Sequence, residues 1–420
     1  MRVLVIGSGA REHALVTALL ADPSVTHVVC APGNAGIAGV VDVLPVDAAD
    51  PEAVADLASA VRADLVVVGP EGPLVAGAAD AVRARGIACF GPSAQAAQLE
   101  GSKTFAKEVM AEAGVATAQA RVCVSLDEVA RALDEFGEPY VVKDDGLAAG
   151  KGVVVTSDRH EALEHADACF SKGAPSVLVE EYLDGPEISL FGITDGQTII
   201  ALQPAQDFKR VRDGDEGPNT GGMGAYSPLP WAPEGLVEEV TEQVLQPMVD
   251  AMRRRGTPFV GLLYAGLALT RRGVRIIEFN ARFGDPETQV VLALLASPLG
   301  QVLLAASTGR LAQLPPLEWR EGAAVTVVIA SKDYPDAPRT GDVINGLEQA
   351  AALAGVDVLH AGTRISDDGQ IVSAGGRVLS VTAVGQSLAQ ARERAYAGVD
   401  LITLAGSHHR RDIAQRASEA

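Results

Sequence analysis

A carboxylate and a carboxamide, Glu278 and Asn280, stand two residues apart at the end of the run Val-Arg-Ile-Ile-Glu-Phe-Asn (274–280). In an extended chain alternate side chains share a face, so both oxygens point the same way. Hard oxygen donors so placed suit Mg²⁺ or Mn²⁺; Mg²⁺ commonly takes one or two ligands from protein and the rest from phosphate and water. Arg282, Asp285 and Glu287 follow directly. A core strand does not tolerate that many unpaired polar groups, which leaves a salt-bridged edge strand as the structural alternative.

A second group runs from Lys143 through Gly146, Gly150 and Lys151 to Gly152. It is not a Walker A loop: no Ser or Thr follows Lys151, and the next element reads as a strand. A strand–loop–strand of this kind can lay backbone amides over a polyphosphate while lysines supply compact positive charge; a solvated hairpin tip is the bland reading. Glu180, Glu181 and Leu183 lie at a strand end, and Glu187 opens the next strand, where a carboxylate could hold a ribose diol. Together these groups predict binding of Mg²⁺-ATP.

The third group is Gly7-x-Gly9 after the first strand. Glu12 takes the place of a third glycine, and Cys30-Ala-Pro-Gly33 offers no acid for a ribose at the end of the second strand, so a nicotinamide site is not expected. A phosphate or polar substrate can still use the amides of this helix start.

These residues need a scaffold. Apolar runs at 3–6, 28–30, 65–68 and 87–90 alternate with helical patterns at about 11–20, 51–62 and 73–85, the signature of a parallel α/β sheet. Strands are predicted at 140–143, 153–156 and 177–180, with helices at 102–113 and 159–170. A hairpin is expected at 188–201, a helix at 233–255, and strands at 262–269 and 274–279. The glycine-rich stretch 206–228 shows no periodicity, which in a compact domain marks a functional or disordered loop. Pro315-Pro316 marks a boundary; beyond it lie strands near 323–330, 358–361 and 377–384 and a helix from about 387. The expected class is multidomain α/β: an N-terminal Rossmann-like domain over 1–100, a middle domain over 101–320 with a small lid at about 121–187, and a C-terminal α+β domain over 321–420.

The 420 residues carry 54 acidic and 34 Lys or Arg side chains, a net charge of -20, which argues against a nucleic-acid partner. No apolar run reaches the length of a membrane span, and the opening MRVLVIG has no leader pattern. Cys30, Cys89, Cys123 and Cys169 form no C-x-x-C pair, so buried free thiols and a cytoplasmic setting are expected.

Taken in order, several segments resemble the glycinamide ribonucleotide synthetase (phosphoribosylamine–glycine ligase) family of the ATP-grasp superfamily. They are GSGAREHAL at the start, PGNAG at 32–36, GPEGPL at 69–74, GSKTFAK at 101–107, KDDGLAAGKGVVV from Lys143, EEYLDGPE from Glu180, DFKRVRDGDEGPNTGGMGAYSP from Asp207 and RFGDPETQ from Arg282. The resemblance implies an ATP-grasp fold and ligation of glycine to 5-phosphoribosylamine through glycyl phosphate, in purine biosynthesis. It implies Lys103 and Lys143 on the nucleotide phosphates, with Lys151, and the 146–152 loop as a closing lid. Glu180, backbone groups of Glu181 and Leu183, and Glu187 would surround adenine and ribose; Glu278 and Asn280 would be the metal ligands. Gly9, Arg11, Asn34 and Glu71 would help hold phosphoribosylamine, joined by Asp213 and Asn219. Arg282 would orient the glycine carboxylate, its rival role being to pair with Asp285 or Glu287 and shape the loop. A transient contact with the upstream amidotransferase is a further expectation. The chain departs from the family's usual pattern at Ala10, Asp144, Pro186, Phe208 and Arg212.

Two other classes compete. A nicotinamide dehydrogenase is opposed by Glu12, and a non-catalytic nucleotide-binding regulator by the intact metal pair and lysines. Within the superfamily, the 207–228 motif favours the glycine enzyme over another carboxylate–amine ligase.

Overall fold

The computed structural model describes residues 1–147 and 152–419. Strand Arg2–Gly7 is the centre of a five-stranded parallel sheet, flanked by His27–Pro32 and Asp42–Val43 on one side and Leu65–Val68 and Ala88–Phe90 on the other. Leu4, Val5 and Ile6 are all fully buried, as strands covered on both faces must be. The single helix expected at 73–85 is two, Glu71–Ala76 and Ala78–Ala84, broken where Gly77 turns left-handed at φ 101°.

The lid is a four-stranded antiparallel sheet in the order Ala120–Cys123, Val177–Glu180, Tyr140–Asp144, Val153–Thr156. Helices Leu126–Phe136 and Arg159–Ser171 pack on it. Its core, which includes Cys123, Leu133, Val142, Ala162 and Val179, is separate from the larger clusters that join the other sheets. The first of these helices escaped the sequence reading, although Leu126, Val129, Leu133 and Phe136 keep helical spacing and Ser125 caps the start.

The middle sheet runs Ile199–Ala201, Glu187–Asp195, Val260–Thr270, Gly273–Asn280, all antiparallel. The helix expected at 233–255 is Leu236–Val240 and Gln246–Arg254 joined by a π-helical turn at Thr241–Leu245. Helices Glu287–Leu294 and Leu299–Ser307 were not anticipated; the first is buried at seven of its eight residues and so shows no polar face to give it periodicity.

The stretch 206–228 is not structureless. Gln206–Asp207 and Gly224–Ser227 extend the C-terminal sheet, pairing in turn with Ala323–Ala330, Arg377–Gly385 and Val356–His360. Between them Arg210–Arg212 and Glu216–Asn219 form a hairpin. Short, polar, glycine-rich strands carry no apolar alternation, so their pairing is fixed by neighbouring backbone rather than by a pattern in the sequence. The four cysteines are buried and free. No helix among the described residues is long and apolar enough to cross a membrane.

Candidate active site

The Lys143 ammonium ends a lid strand and lies 2.7 Å from Glu180 Oε2, while Lys107 reaches Glu180 Oε1, also at 2.7 Å. All three are largely buried. Burial alone would raise the Glu180 carboxyl, but Lys143 and Lys107 override it and hold it below its usual range. Lys143 also donates to the Ile277 carbonyl at 3.0 Å. That carbonyl is available because the ladder between Val260–Thr270 and Gly273–Asn280 slips at Gly266/Leu267, pairing Gly266 with Glu278 and Leu267 with Ile276. Ile277 is thus the bulged residue.

Lys103 begins helix Lys103–Ala113 and donates to the Gly146 carbonyl at 3.0 Å; burial lowers its pKa. Asp144, the unusual acid beside Lys143, accepts from the Gly146 N–H at 3.1 Å and so shapes the loop's first turn. Its neighbour Asp145 is the stronger anchor. It accepts from Thr104 N and Oγ1, both at 2.8 Å, and from the Ser102 and Ser176 hydroxyls, tying the loop to the helix start. Gly152 returns the chain to the sheet through the Asp144 N–H at 2.8 Å. Gly150 and Lys151 lie outside the described residues.

Glu278 and Asn280 face Gly266 and Tyr264 two positions apart, on one face as the spacing requires. Neither side chain makes a hydrogen bond or ion pair among the described residues, yet Glu278 lies within electrostatic reach of Lys103 and Lys209. Lys209 pairs with Glu187 at 2.6 Å and holds its carboxyl below the usual range. Burial raises Asp207 to about 8, and Glu287, Glu187 and Glu278 push the same way against Lys209. No set of three or more His, Cys, Asp or Glu side chains is arranged for a metal among the described residues. A metal here would take its protein ligands from Glu278 and the Asn280 amide, and this half-buried, unpartnered oxygen pair fits Mg²⁺. Just past Glu180, the Glu181 N–H is taken by the Gln119 carbonyl at 3.0 Å and its carboxylate by Arg272 at 2.9 Å. Half-buried Leu183 follows in the link to the strand that Glu187 opens.

The strand ends at Asn280, and Arg282 turns away from it. Its guanidinium meets Glu71 at 3.1 Å and Glu100 at 2.9 Å. Neither expected loop partner takes it: Asp285 binds Gln289 and Arg377, and Glu287 binds Ser189 and Tyr264. Burial raises the Glu100 carboxyl; for Glu71, Arg282 and Arg11 outweigh burial and lower it.

Gly9 and Arg11 sit at the same junction. The Gly9 N–H donates to Glu12 Oε2 at 2.6 Å, and Arg11 pairs with Glu12 and reaches the Phe283 carbonyl at 3.0 Å. Glu12 therefore occupies the Gly9 amide that a dinucleotide's pyrophosphate would need, and a Cβ on Gly69 would overlap its carboxylate. Asn34 is saturated: Nδ2 donates to the Ser8 and His360 carbonyls, and Oδ1 accepts from Gly36 and Ile37. Asp213 accepts from Arg411 N at 2.7 Å, and Asn219 pairs with Arg210 in the hairpin. The structure thus brings Gly9, Arg11, Glu71 and Arg282 together, and sets Asp213 against the chain's C-terminal segment.

Five participants were not singled out from sequence: Lys107, Asp145, Glu100, Asp207 and Lys209. Lys107, Asp145, Asp207 and Lys209 lie inside motifs that were noticed, but which charge each would meet depends on sheet packing.

Comparison with known proteins places these residues in a family. Three family profiles match the chain: the phosphoribosylglycinamide synthetase N domain over residues 1–100, its ATP-grasp (A) domain over 101–288 and its C domain over 324–416. A protein named phosphoribosylamine–glycine ligase from Streptomyces coelicolor is 65% identical, the match covering all of both chains. One of the same name from Mycobacterium leprae is 58% identical, over 98% of this chain and 97% of the relative. Among solved structures, phosphoribosylamine–glycine ligase from Thermotoga maritima superposes with a TM-score of 0.84 at 32% identity, covering 98% of this chain and all of the other. The biotin carboxylase domain of 2-oxoglutarate carboxylase from Hydrogenobacter thermophilus shares the fold alone, with a TM-score of 0.73 at 18% identity over 97% and 91% of the two chains. From its N-terminal parallel sheet to its C-terminal sheet, the chain belongs to the phosphoribosylglycinamide synthetase family of ATP-grasp enzymes.

Proposed function

We propose that this enzyme joins glycine to 5-phosphoribosylamine at the expense of ATP, giving glycinamide ribonucleotide, ADP and phosphate, in de novo purine biosynthesis. The observation that carries the reading is the unpaired Glu278–Asn280 oxygen pair within reach of Lys103, on a chain whose full-length relatives bear the name of this ligase.

Lys103 and Lys143 hold the nucleotide phosphates, with Lys151 from the 146–152 loop, which closes as a lid. The Glu181 carbonyl and the main chain of Leu183 face adenine, Glu180 sets the direction of Lys143, and Glu187 takes the ribose. Mg²⁺ or Mn²⁺ held by Glu278 and Asn280 would neutralise charge on the phosphates. Arg282 orients the glycine carboxylate. One carboxylate oxygen attacks the γ-phosphorus, the bond to ADP breaks, and glycyl phosphate results. The phosphoribosylamine amino group, held near Gly9, Arg11 and Glu71, then attacks the acyl carbon; phosphate leaves and the amine loses a proton. Asn34 supports this junction through its backbone partners, and Asp213 and Asn219 do so from the hairpin. Catalysis of this kind needs positioning and charge neutralisation rather than a side-chain nucleophile. A cytoplasmic setting and transient delivery of the labile amine by the upstream amidotransferase belong to the same reading.

ADP release with each substrate omitted in turn is the test: rapid release is expected only with glycine, phosphoribosylamine and Mg²⁺ together. Rapid turnover with another amino acid, and none with glycine, would overturn the substrate assignment. With ¹⁸O in the glycine carboxylate, label should appear in phosphate; unlabelled phosphate would exclude the acyl phosphate.

A further inference from the structure

Lys209 is the cation opposite Glu187, and its carbonyl accepts from Thr220 N and Oγ1, both at 2.8 Å, while Phe208 N donates to the Gly224 carbonyl at 2.9 Å. Only Gln206 and Asp207 before it join the sheet, and the hairpin after it contributes nothing to any larger sheet. Its two neighbours are gripped in addition by one buried guanidinium. Arg410, 1% exposed, stacks 4.8 Å from the Phe208 ring and donates to the Arg210 carbonyl at 3.1 Å. The same group binds Asp215 at 2.7 Å and makes a two-pronged pair with Asp412 at 2.7 and 2.6 Å. A buried guanidinium is costly unless its donors are met, and here they are. The segment carrying Arg410 is itself fixed: the Tyr396 hydroxyl donates to the Arg410 carbonyl at 2.7 Å, and Arg392 donates to the Arg411 and Ile413 carbonyls. Gly214 N to Asp412 at 2.9 Å and Arg411 N to Asp213 at 2.7 Å close the clamp.

We propose that Arg410 is a positioning residue for the nucleotide: by holding Phe208 and Arg210 it fixes Lys209 against Glu187, so a C-terminal segment that never meets ATP sets its affinity. This rests on the reading of Glu187 as the ribose carboxylate. Phe208, a departure from the family's usual residue, is on this account the platform for the guanidinium.

The test uses full-length enzyme, direct titration with Mg²⁺-ATP, steady-state kinetics and urea denaturation. Arg410→Met and Lys209→Met should each weaken ATP binding by about three- to tenfold and raise the KM for ATP alike, with the KM for glycine unchanged. The double variant should lose little more than either single one, because both remove the same placement. Asp215→Asn, at an exposed carboxylate, should give a smaller loss in the same direction, and with Lys209→Met it supplies the cycle if Arg410→Met does not fold. Unchanged ATP affinity in the folded variants, or losses that multiply in the double variant, would overturn the proposal. Glu187→Gln separates the two layers. If it leaves ATP affinity unchanged, the ribose reading falls and takes the proposal with it. If it weakens ATP while Arg410→Met and Asp215→Asn do not, the clamp alone is wrong.

Discussion

The Arg282 guanidinium donates to the Glu71 carboxylate at 3.1 Å, joining the end of the strand that bears Glu278 and Asn280 to a helix start beyond the parallel sheet. Glu100 takes its other edge at 2.9 Å. Two carboxylates thus aim one planar cation, and the strand's end at Asn280 lets it swing toward the junction with Gly9 and Arg11.

Arg282→Lys keeps the charge and loses the fork that matches a carboxylate. Loss of one charge-assisted contact costs roughly 1.5–3 kcal/mol, about ten- to over a hundredfold in glycine kcat/KM. ATP affinity should stay within about twofold, because among the described residues neither Lys103 nor Lys143 bonds to Arg282. Normal glycine kinetics with a uniform loss of stability would assign Arg282 to loop shaping instead.

Glu278→Gln keeps the size of the side chain and removes its charge; Asn280→Ala removes the second oxygen. Turnover should fall steeply in both at limiting Mg²⁺, with circular dichroism unchanged, because neither side chain is hydrogen-bonded among the described residues. Full activity of Glu278→Gln at limiting Mg²⁺ would show that the metal is held elsewhere.

The pattern of charges along the chain exposed Lys143, Glu180, Glu187 and the Glu278–Asn280 pair and left their partners hidden. Spacing alone placed Glu278 and Asn280 on one face, and the glycines after Lys143 marked a loop between two strands, which pair as Tyr140–Lys143 with Val153–Thr156. The bulge at Ile277 was invisible, since it follows from how Leu267 and Ile276 pair across two strands. Glu100 could not be matched to Arg282 because 182 positions separate them. The polar strands at 206–227 failed for a different reason: their register comes from Ala323–Ala330, which lies about a hundred residues further on.

Glu180 lies between two ammonium groups that are themselves mostly buried. Glu180→Gln leaves Lys107 and Lys143 facing each other without an anion. Removing one member of a buried ionic set typically destabilises by about 3–5 kcal/mol. A fall in urea midpoint of that order is expected, and Lys107→Met in the same background should restore part of it by removing one unpaired charge. A Glu180→Gln midpoint equal to that of the parent would mean that the lysines find other partners.

Acid should act on the fold through His13 and His360 before the carboxylates held below their usual range titrate. The His360 N–H donates to His13 Nδ1 at 2.9 Å, so that nitrogen must stay unprotonated, and the rings lie 5.8 Å apart. Burial lowers His13 to about 3, with His360 adding to the effect, and burial lowers His360 to about 4. In the unfolded chain both return to about 6.5. As pH falls below that value the unfolded state takes up two protons that the native state refuses, so its free energy drops and stability is lost; above about 6.5 neither state binds them and the effect vanishes. From pH 7.5 to 5 the loss is about 2 kcal/mol per histidine. Glu180, Glu71 and Asp285, held below their usual range, add their own loss only below about 4.5. Asp207, raised to about 8 in the native state, keeps a proton over the same range that the unfolded chain gives up, and so works against this loss. The fall in urea midpoint from pH 7.5 through 6 to 5 should therefore be read against a variant, and His360→Gln should lessen it by one histidine's share whatever it does to stability at pH 7.5. An unchanged slope in His360→Gln would show that this pair does not carry the acid sensitivity.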